Sequence, residues 1–317
     1  MIIIVSRKKR RFGAQRAALA SLWLLAFFLS LYFLRSPSAA KISAKTALDV
    51  CAAGLIPSLF PFIVLVSVIN LSGLSNHIAR AAGRPLGALF GISHSAASAI
   101  ILGALGGFPI GAVCTRELYV DGRITKSEAE RLITFTNNAS PAFCIGVIGV
   151  SLFGDTGFGV RLYICQIAAA VLIGVFQRKR VYSTPSISRR IARVNVSDIL
   201  TTAISNAATT MLTICAFAVF FAVVGDALCI TLCHYFGKVA AALAGAVCEL
   251  TLGARSCAAL EYSTSRIICA FAIGWSGISV HMQVSSILSE TKISMRRYYL
   301  CKLLQGILTA SLVFLFI

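Results

Sequence analysis

The chain has 317 residues, of which 58% are hydrophobic and 13% are charged, and its mean hydropathy is +0.86. Because soluble domains carry about 25% charged residues, this composition excludes a soluble globular domain and predicts an all-α polytopic membrane protein. The formal net charge of +18 does not indicate nucleic-acid binding, since the basic residues cluster beside apolar spans, where they act as topology signals. Most of the 11 cysteines lie singly inside apolar runs, which is typical of small buried hydrophobic residues and not of a disulfide framework.

The N-terminal region, residues 1–46, combines a basic cluster at 7–11 with an apolar segment at 17–34. A helix rises about 1.5 Å per residue, so this segment would span about 27 Å, close to the thickness of a bilayer core. We interpret 1–46 as a basic N-terminus and a first transmembrane anchor. The alternative is a signal peptide cleaved near the small residues 38–40, but the apolar run exceeds the usual length of about 7–15 residues.

The first candidate site is a break in an apolar run at GGFPIG, residues 106–111. The apolar stretch beyond the break is too short for a second crossing, so we predict a re-entrant hairpin or discontinuous helix over about 86–118. Non-helical backbone inside a membrane is tolerated where it is buried in protein or lines a polar cavity. We therefore assign Gly107, Pro109 and Gly111 to a substrate-binding site.

A second break follows a charged turn. The sequence Thr125-Lys126-Ser127-Glu128 fits a capping box, which predicts a fresh helix starting at about Lys126. After three turns this helix meets Asn137, Asn138 and Pro141, whose amides and freed carbonyl offer hydrogen-bond donors and acceptors. These three residues are candidates for holding an uncharged polar solute or an ion, or for packing against the neighbouring hairpin.

A basic segment at 177–198 reads as a cytoplasmic linker that divides the chain into halves at 47–176 and 199–317. In the second half, Glu249 stands inside the apolar span 239–260. A charged side chain there costs about 2.5–3.5 kcal/mol on insertion scales, so we expect it to bind a coupling ion or a proton. The alternative is a structural carboxyl that is hydrogen-bonded to a broken helix.

A further break occurs at Ser276 and Gly277, within the segment 267–284. Ser279, His281 and Gln283 follow at every second position, and such residues share a face only in extended backbone. We therefore predict an unwound hairpin tip and assign all five residues to the substrate-binding site. Matching GGFPIG with WSGISV (275–280) gives two approximate repeats, and paired interrupted segments indicate a transporter-like site at the midplane.

The orientation of these repeats is a separate prediction. An inverted arrangement, which we favour, places the turn at 290–302 on the opposite side of the membrane from 115–126. The basic residues at 290–302 nevertheless favour the cytoplasm for that turn. We expect about seven spanning helices and two re-entrant hairpins.

Several motifs occur together in the order found in a known family. PSLFPF at 57–62, GFPIGA at 107–112, GRITKSEAERLITFTNNASP at 122–141, the Glu249 segment and GISVHMQVSSILSE at 277–290 resemble the sporulation integral membrane protein family of the YlbJ type. That family is assigned to the nucleoside-recognition, or gate, domain superfamily. The resemblance covers 47–317 and implies two gate-like repeat halves similar to the core of concentrative nucleoside transporters and the gate of ferrous-iron transporters. Phe108 departs from the family, which often has tyrosine there.

The resemblance also implies a role in endospore formation, linked to cortex assembly. We expect a protein that moves or binds a small polar solute or ion in a cell membrane around the forespore. The alternative is a non-transporting assembly factor of the spore envelope. An enzyme is not expected, because neither HExxH nor GxSxG occurs. We predict no catalytic residue, metal site, cofactor or nucleic-acid partner, and the bilayer as the main partner.

Overall fold

The structure is a computed structural model that describes residues 2–179, 195–260 and 264–316. Within these ranges the chain is helical and has no β-strand, which confirms the predicted all-α class. Most of the predicted linker 177–198 lies outside the described residues. The helices are α1 (Ile2–Arg35), α2 (Pro37–Val50), α3 (Ile56–Leu71), α4 (Ser75–Phe90), α5 (Ala97–Gly106), α6 (Ile110–Val120), α7 (Lys126–Thr136), α8 (Thr156–Phe176), α9 (Val196–Cys248), α10 (Leu250–Ala258), α11 (Thr264–Trp275), α12 (Gly277–Ile287) and α13 (Arg296–Leu315), with π-helices at Cys51–Leu55 and Ala142–Leu152.

The described residues contain fewer helices long enough to span a membrane than the seven or so that the sequence predicts. By length and composition, four helical stretches in the described chain can cross a membrane, or six if two bent pairs each count as one span. The bent pairs join α1 to α2 at 108° and α3 to α4 at 88°. Helices α5, α6, α7 and the π-helix Ala142–Leu152 have only 10 or 11 residues each and are too short to cross alone. The four stretches are 156–176, 196–248, 264–287 and 296–315.

Helices α5 and α6 form a hairpin whose tip is the predicted GGFPIG break. Each leg is about 15 Å long, roughly half of the bilayer core. Gly103 of α5 faces Gly111 of α6, since a Cβ on Gly103 would lie 3.0 Å from the Cα of Gly111. Gly107 turns the chain at the tip with φ of 82°, a value that L side chains rarely adopt.

Helix α7 begins and ends where the sequence predicts. The hydroxyl of Thr125 accepts a hydrogen bond from the N–H of Glu128 at 3.2 Å, so Thr125 is the N-cap and the predicted start at Lys126 is confirmed. The Glu128 carboxylate accepts the N–H of Ser93 and does not complete the capping box. Beyond Thr136 the chain leaves the helix over 137–140 and resumes as the π-helix Ala142–Leu152.

Helix α9 contains a reversal that creates a second hairpin. At Gly237 the backbone has φ of 83°, and the Sγ of Cys229 lies 3.1 Å from the carbonyl oxygen of Ala241. In a straight helix these residues would be about 18 Å apart, so the chain folds back. The arm 238–248 then packs against α10, with Gly245 facing Gly253 and the tip at Glu249.

The break at Ser276 differs from its prediction. Ser276 and Gly277 both have positive φ, 81° and 77°, and the backbone is helical again from residue 278 to the end of α12. The prediction of extended backbone over 279–283 is therefore wrong. Helices α11 and α12 together form one interrupted span of 24 residues, because the interruption is confined to Ser276 and Gly277. GGFPIG forms a hairpin tip and WSGISV an interruption, so the two motifs do not match structurally.

At one end of the helical bundle, the region of the turn that follows α6 contacts the turn that follows α12. Arg116 forms an ion pair with Glu290 at 2.8 Å, and the Glu130 carboxylate accepts the N–H of Ser294 at 3.1 Å. The turns at 121–125 and 288–295 thus lie on the same side. The predicted opposite placement of 115–126 and 290–302 is wrong, because it depended on matching GGFPIG with WSGISV.

At the other end of the bundle, the start of α8 contacts the start of α11. Asp155 pairs with Arg266 at 3.1 Å and lies 3.7 Å from Arg161. The pKa of Asp155 lies below its usual range, mainly because its carboxylate accepts a hydrogen bond from the N–H of Phe158. The two nearby guanidinium groups lower the pKa further. The span 264–287, about 36 Å long, separates this end from the one that contains Glu290.

Candidate functional site

Each hairpin tip packs against the interruption that follows it in the sequence. A Cβ on Gly107 would lie 2.9 Å from the Cβ of Ser140, in the interruption after α7. A Cβ on Gly277, at the second interruption, would lie 3.1 Å from the backbone nitrogen of Leu250, beside the second tip. Glycine at both contacts allows the backbones to approach closely.

A cavity of about 630 Å³ lies between the two tips. Its volume falls within the range of small-molecule sites, about 300–1,000 Å³. Both tips, the first interruption, helix α12 and the bent N-terminal helices contribute to its wall. The residues of the wall include Asp49, Gly107, Phe108, Ala139, Ser140, Glu249, Arg255, Val280 and Gln283.

Glu249 has the structural role that the sequence offered as an alternative, and its side chain also lines the cavity. Its Oε2 accepts the N–H of Leu252 at 2.7 Å, so the carboxylate caps α10. The side chain is 7% exposed and lines both this cavity and an adjoining one of about 420 Å³ that also contains Asp226. The carboxylate is therefore held in place by its own helix while facing a space large enough for a solute.

Gln283 presents an amide to the same cavity. It is 4% exposed, and its Nε2 makes one long hydrogen bond, 3.4 Å to the hydroxyl of Ser279. Among the described residues its carbonyl oxygen has no partner. Buried amides normally have their hydrogen bonds satisfied, so this group is suited to bind a polar ligand.

Asn137 and Asn138 lie behind the cavity in a buried polar network. The Oδ1 of Asn137 accepts the N–H of Ala112 at 3.1 Å, and its backbone oxygen accepts from Nζ of Lys302 at 3.0 Å. The Oδ1 of Asn138 accepts from Nε2 of Gln305 at 2.7 Å. Both asparagines therefore hold the interruption against α13, which supports the packing alternative for them.

Gln166 of α8 completes this network. Its side chain accepts the N–H of Ala139 and donates to the carbonyl of Ala139, both at 3.1 Å. This pair of bonds satisfies backbone that a helix would otherwise satisfy. The unwound chain at 137–140 is thus fixed by side chains from α8 and α13.

The other candidates from the first half do not line the cavity. Pro109 is buried at the start of α6, and Pro141 begins the π-helix and is partly exposed. Gly111 faces the end of α7, where a Cβ would lie 2.2 Å from the backbone oxygen of Thr136. Gly111 is therefore a packing residue of the hairpin.

The remaining candidates surround the second interruption without lining the cavity. Ser276 is buried, and its hydroxyl has no partner among the described residues. His281 is 2% exposed, with Nδ1 3.1 Å from the Tyr298 hydroxyl and its ring centroid 4.3 Å from that of Trp275. Of the predicted site residues, Gly107, Glu249 and Gln283 meet at the cavity.

Sequence reasoning missed Lys302, Gln305 and Gln166. Lys302 was counted with the basic turn 290–302, although it lies one and a half turns inside α13. A recurring pattern could have revealed it: Arg161-x-Tyr-x-Cys-Gln166 in α8 recurs as Arg297-x-Tyr-x-Cys-Lys302 in α13. In the described part of the chain, no three His, Cys, Asp or Glu residues cluster in a way that suits a metal ion.

Comparison with curated proteins finds a relative named "Sporulation integral membrane protein YlbJ" in Bacillus subtilis (strain 168). The two sequences are 26% identical over 326 residues, which cover 91% of this chain and 80% of that protein. No protein-family profile matches the chain. No solved structure matches it.

Proposed function

Because the chain belongs to the YlbJ-type family of sporulation integral membrane proteins, we propose that it acts in spore formation as a membrane transport protein. It moves or binds a small polar solute or ion that is needed for cortex formation, across a membrane that surrounds the forespore. The observation that carries this proposal is the cavity between the two hairpin tips, with Glu249 and Gln283 in its wall.

Internal symmetry supports the proposal. Gly-Ala pairs at 103–104 and 111–112 in the first hairpin recur at 245–246 and 253–254 in the second. After each hairpin come an interrupted helix and a continuous helix, α8 in one half and α13 in the other. The order of elements thus occurs twice, as expected for two gate-like halves.

The two halves run in opposite directions in this alignment. The turn before α8 lies at the end that contains Arg266, whereas the matching turn before α13 lies at the end that contains Arg116. Inverted repeats with interrupted helices are typical of secondary transporters, which bind substrate where the repeats meet. This is the arrangement we propose, with a core similar to that of concentrative nucleoside transporters.

In this mechanism the two tips form the walls of the substrate site. Glu249 provides a negative charge for a cationic group, a coupling ion or a proton, and Gln283 provides an amide for a neutral polar group. Movement of one half relative to the other would expose the cavity to each side in turn. No chemical conversion of the solute is part of the proposal.

A spore-formation assay with matched variants tests this function. Glu249→Gln removes the charge but keeps an oxygen that can cap α10, and Gln283→Leu removes the amide at similar size. We expect both variants to accumulate in the membrane and to lower the yield of heat-resistant spores. Glu290→Gln breaks only an exposed ion pair and should give the wild-type yield.

If the protein is instead a non-transporting assembly factor, we expect the reverse pattern of spore yields. Such a protein would tolerate Glu249→Gln and Gln283→Leu and would depend on its outward-facing loops. Wild-type spore yield from both cavity variants would therefore reject the transport function.

A further inference from the structure

Lys302 is a lysine fully buried inside an apolar helix. It lies in α13 with 0% exposure, and its Nζ is 3.0 Å from the backbone oxygen of Asn137 and 2.8 Å from Oε1 of Gln305. The ring centroid of Phe108 lies 5.2 Å from the same nitrogen. The ammonium group therefore sits between the end of α7 and the first hairpin tip.

In the part of the chain that the structure describes, no carboxylate balances this charge. Within the described residues, no Asp or Glu forms an ion pair with Lys302. An unpaired charge is costly inside a membrane, so the neutral groups around it must provide the stabilisation. Those groups are a carbonyl, an amide oxygen and an aromatic face, and cation–π contact is favourable with such a face.

The C-terminus of α7 adds a favourable electrostatic field at the Nζ of Lys302. The helix stops at Thr136, and the carbonyl that binds Lys302 belongs to its C-cap, Asn137. A helix C-terminus carries about half a negative charge, which favours a cation. In transporters with interrupted helices, unwound carbonyls and the C-terminal ends of half-helices coordinate Na⁺ or H⁺. The surroundings of Nζ are of this type.

We propose that Lys302 serves as a tethered cation at the first interruption, in the position that an exchangeable metal cation would otherwise occupy. The protein then needs no Na⁺ there to hold the Asn137 interruption against the tip at Phe108. This inference deepens the proposed function, because Phe108 lines the cavity and the interruption continues into Ala139 and Ser140 in the cavity wall. It makes the shape of the substrate site independent of sodium.

Thermal unfolding of the purified full-length chain in detergent tests the proposal. The probes are equal concentrations of NaCl, KCl and N-methyl-D-glucamine chloride. We expect wild type to unfold at the same temperature in all three. An unfolding temperature that rises specifically with Na⁺ would overturn the proposal.

Chemical rescue supplies the second arm. Lys302→Ala leaves the oxygens without their cation, and we expect the midpoint to fall by roughly 4 °C or more. Propylammonium chloride, which fits the vacated space, should restore at least half of the loss, whereas propan-1-ol should not. The control Lys292→Ala, which changes an exposed lysine of the preceding turn, should show neither loss nor rescue.

Equal rescue by propan-1-ol and propylammonium would show that the lysine only fills volume, and it would overturn the proposal. If Lys302→Ala cannot be purified, the wild-type salt series decides alone, with equal midpoints supporting the proposal and an Na⁺-specific rise contradicting it. Neither arm measures transport. A chain that passes both tests but neither binds nor moves a solute would refute the proposed function and leave this inference intact.

Discussion

At the scale of single residues, Glu249 serves the fold and the cavity with one side chain. Replacing an N-cap residue by alanine costs about 1 kcal/mol, so Glu249→Ala would confuse loss of stability with loss of binding. Glutamine keeps a carbonyl oxygen for the N–H of Leu252 and removes only the charge. Glu249→Gln is therefore the change that isolates the electrostatic role.

One backbone carbonyl group leaves no space for a side chain at two glycines of the first hairpin. A Cβ on Gly103 or on Gly111 would lie 2.3 or 2.2 Å from the backbone oxygen of Thr136. Backbone oxygen in a helix cannot move away as a flexible side chain can. The close approach of the hairpin to α7 therefore requires glycine at both positions.

Gly111→Ala should destabilise the protein by about 1–3 kcal/mol through overpacking. Gly146→Ala is the matched control, because a Cβ there would meet nothing within 4 Å. That control should be neutral or stabilising by about 0.5–1 kcal/mol, since alanine restricts the unfolded chain. Chemical unfolding in detergent measures both, and equal stability of the two variants would contradict the contact at Thr136.

At the scale of elements, local chemistry predicted where helices start and stop. The capping residue Thr125 and the proline at 141 act on backbone within one turn, so the start of α7 and its interruption follow from the sequence alone. The break at 106–111 is predictable for the same reason. Each of these signals depends only on neighbours in the chain.

The direction that the chain takes after a break could not be predicted from the neighbouring residues in the sequence. GGFPIG reverses the chain because Gly103 and Gly111 allow the two legs to pack closely. The break at Ser276 leaves the next helix nearly in line, since α11 and α12 count as one span. Both breaks contain glycine, so composition made them look alike and shifted the predicted repeat.

The buried polar network could not be predicted from the sequence for a different reason. Gln166, Lys302 and Gln305 stand in continuous helices, where no break draws attention to them. Their partners at 137–140 are more than 25 residues away along the chain. Only the tertiary fold brings amide and ammonium groups to the backbone that needs them.

At the scale of the whole molecule, basic residues gather at the end that contains Glu290. The turn after α6 and the turn before α13 meet there, and Arg131 of α7 binds the carbonyl of Gln177 at the end of α8. We expect this end to face the cytoplasm, because cytoplasmic loops of membrane proteins carry an excess of lysine and arginine. The basic residues at this end include Arg123, Lys126, Arg178, Lys179, Lys292, Arg296 and Arg297.

Cysteine labelling with a membrane-impermeant maleimide checks this arrangement. In a Cys233→Ser background, which removes an exposed thiol, Asp121→Cys and Thr291→Cys should react from the same side. Thr156→Cys, at the exposed start of α8, should react only from the other side. Labelling of Asp121→Cys and Thr291→Cys from different sides would refute the inverted alignment of the halves.

Solute uptake into vesicles tests most directly whether the cavity between the tips binds and moves a ligand. The vesicles carry wild type, Glu249→Gln or the control Glu290→Gln, and the probes are radiolabelled nucleosides, sugars and amino acids. We predict uptake of at least one probe by wild type and the control, and a reduction of roughly tenfold or more in Glu249→Gln, equivalent to about 1.4 kcal/mol. Equal uptake by wild type and Glu249→Gln, or uptake by neither, would contradict the account.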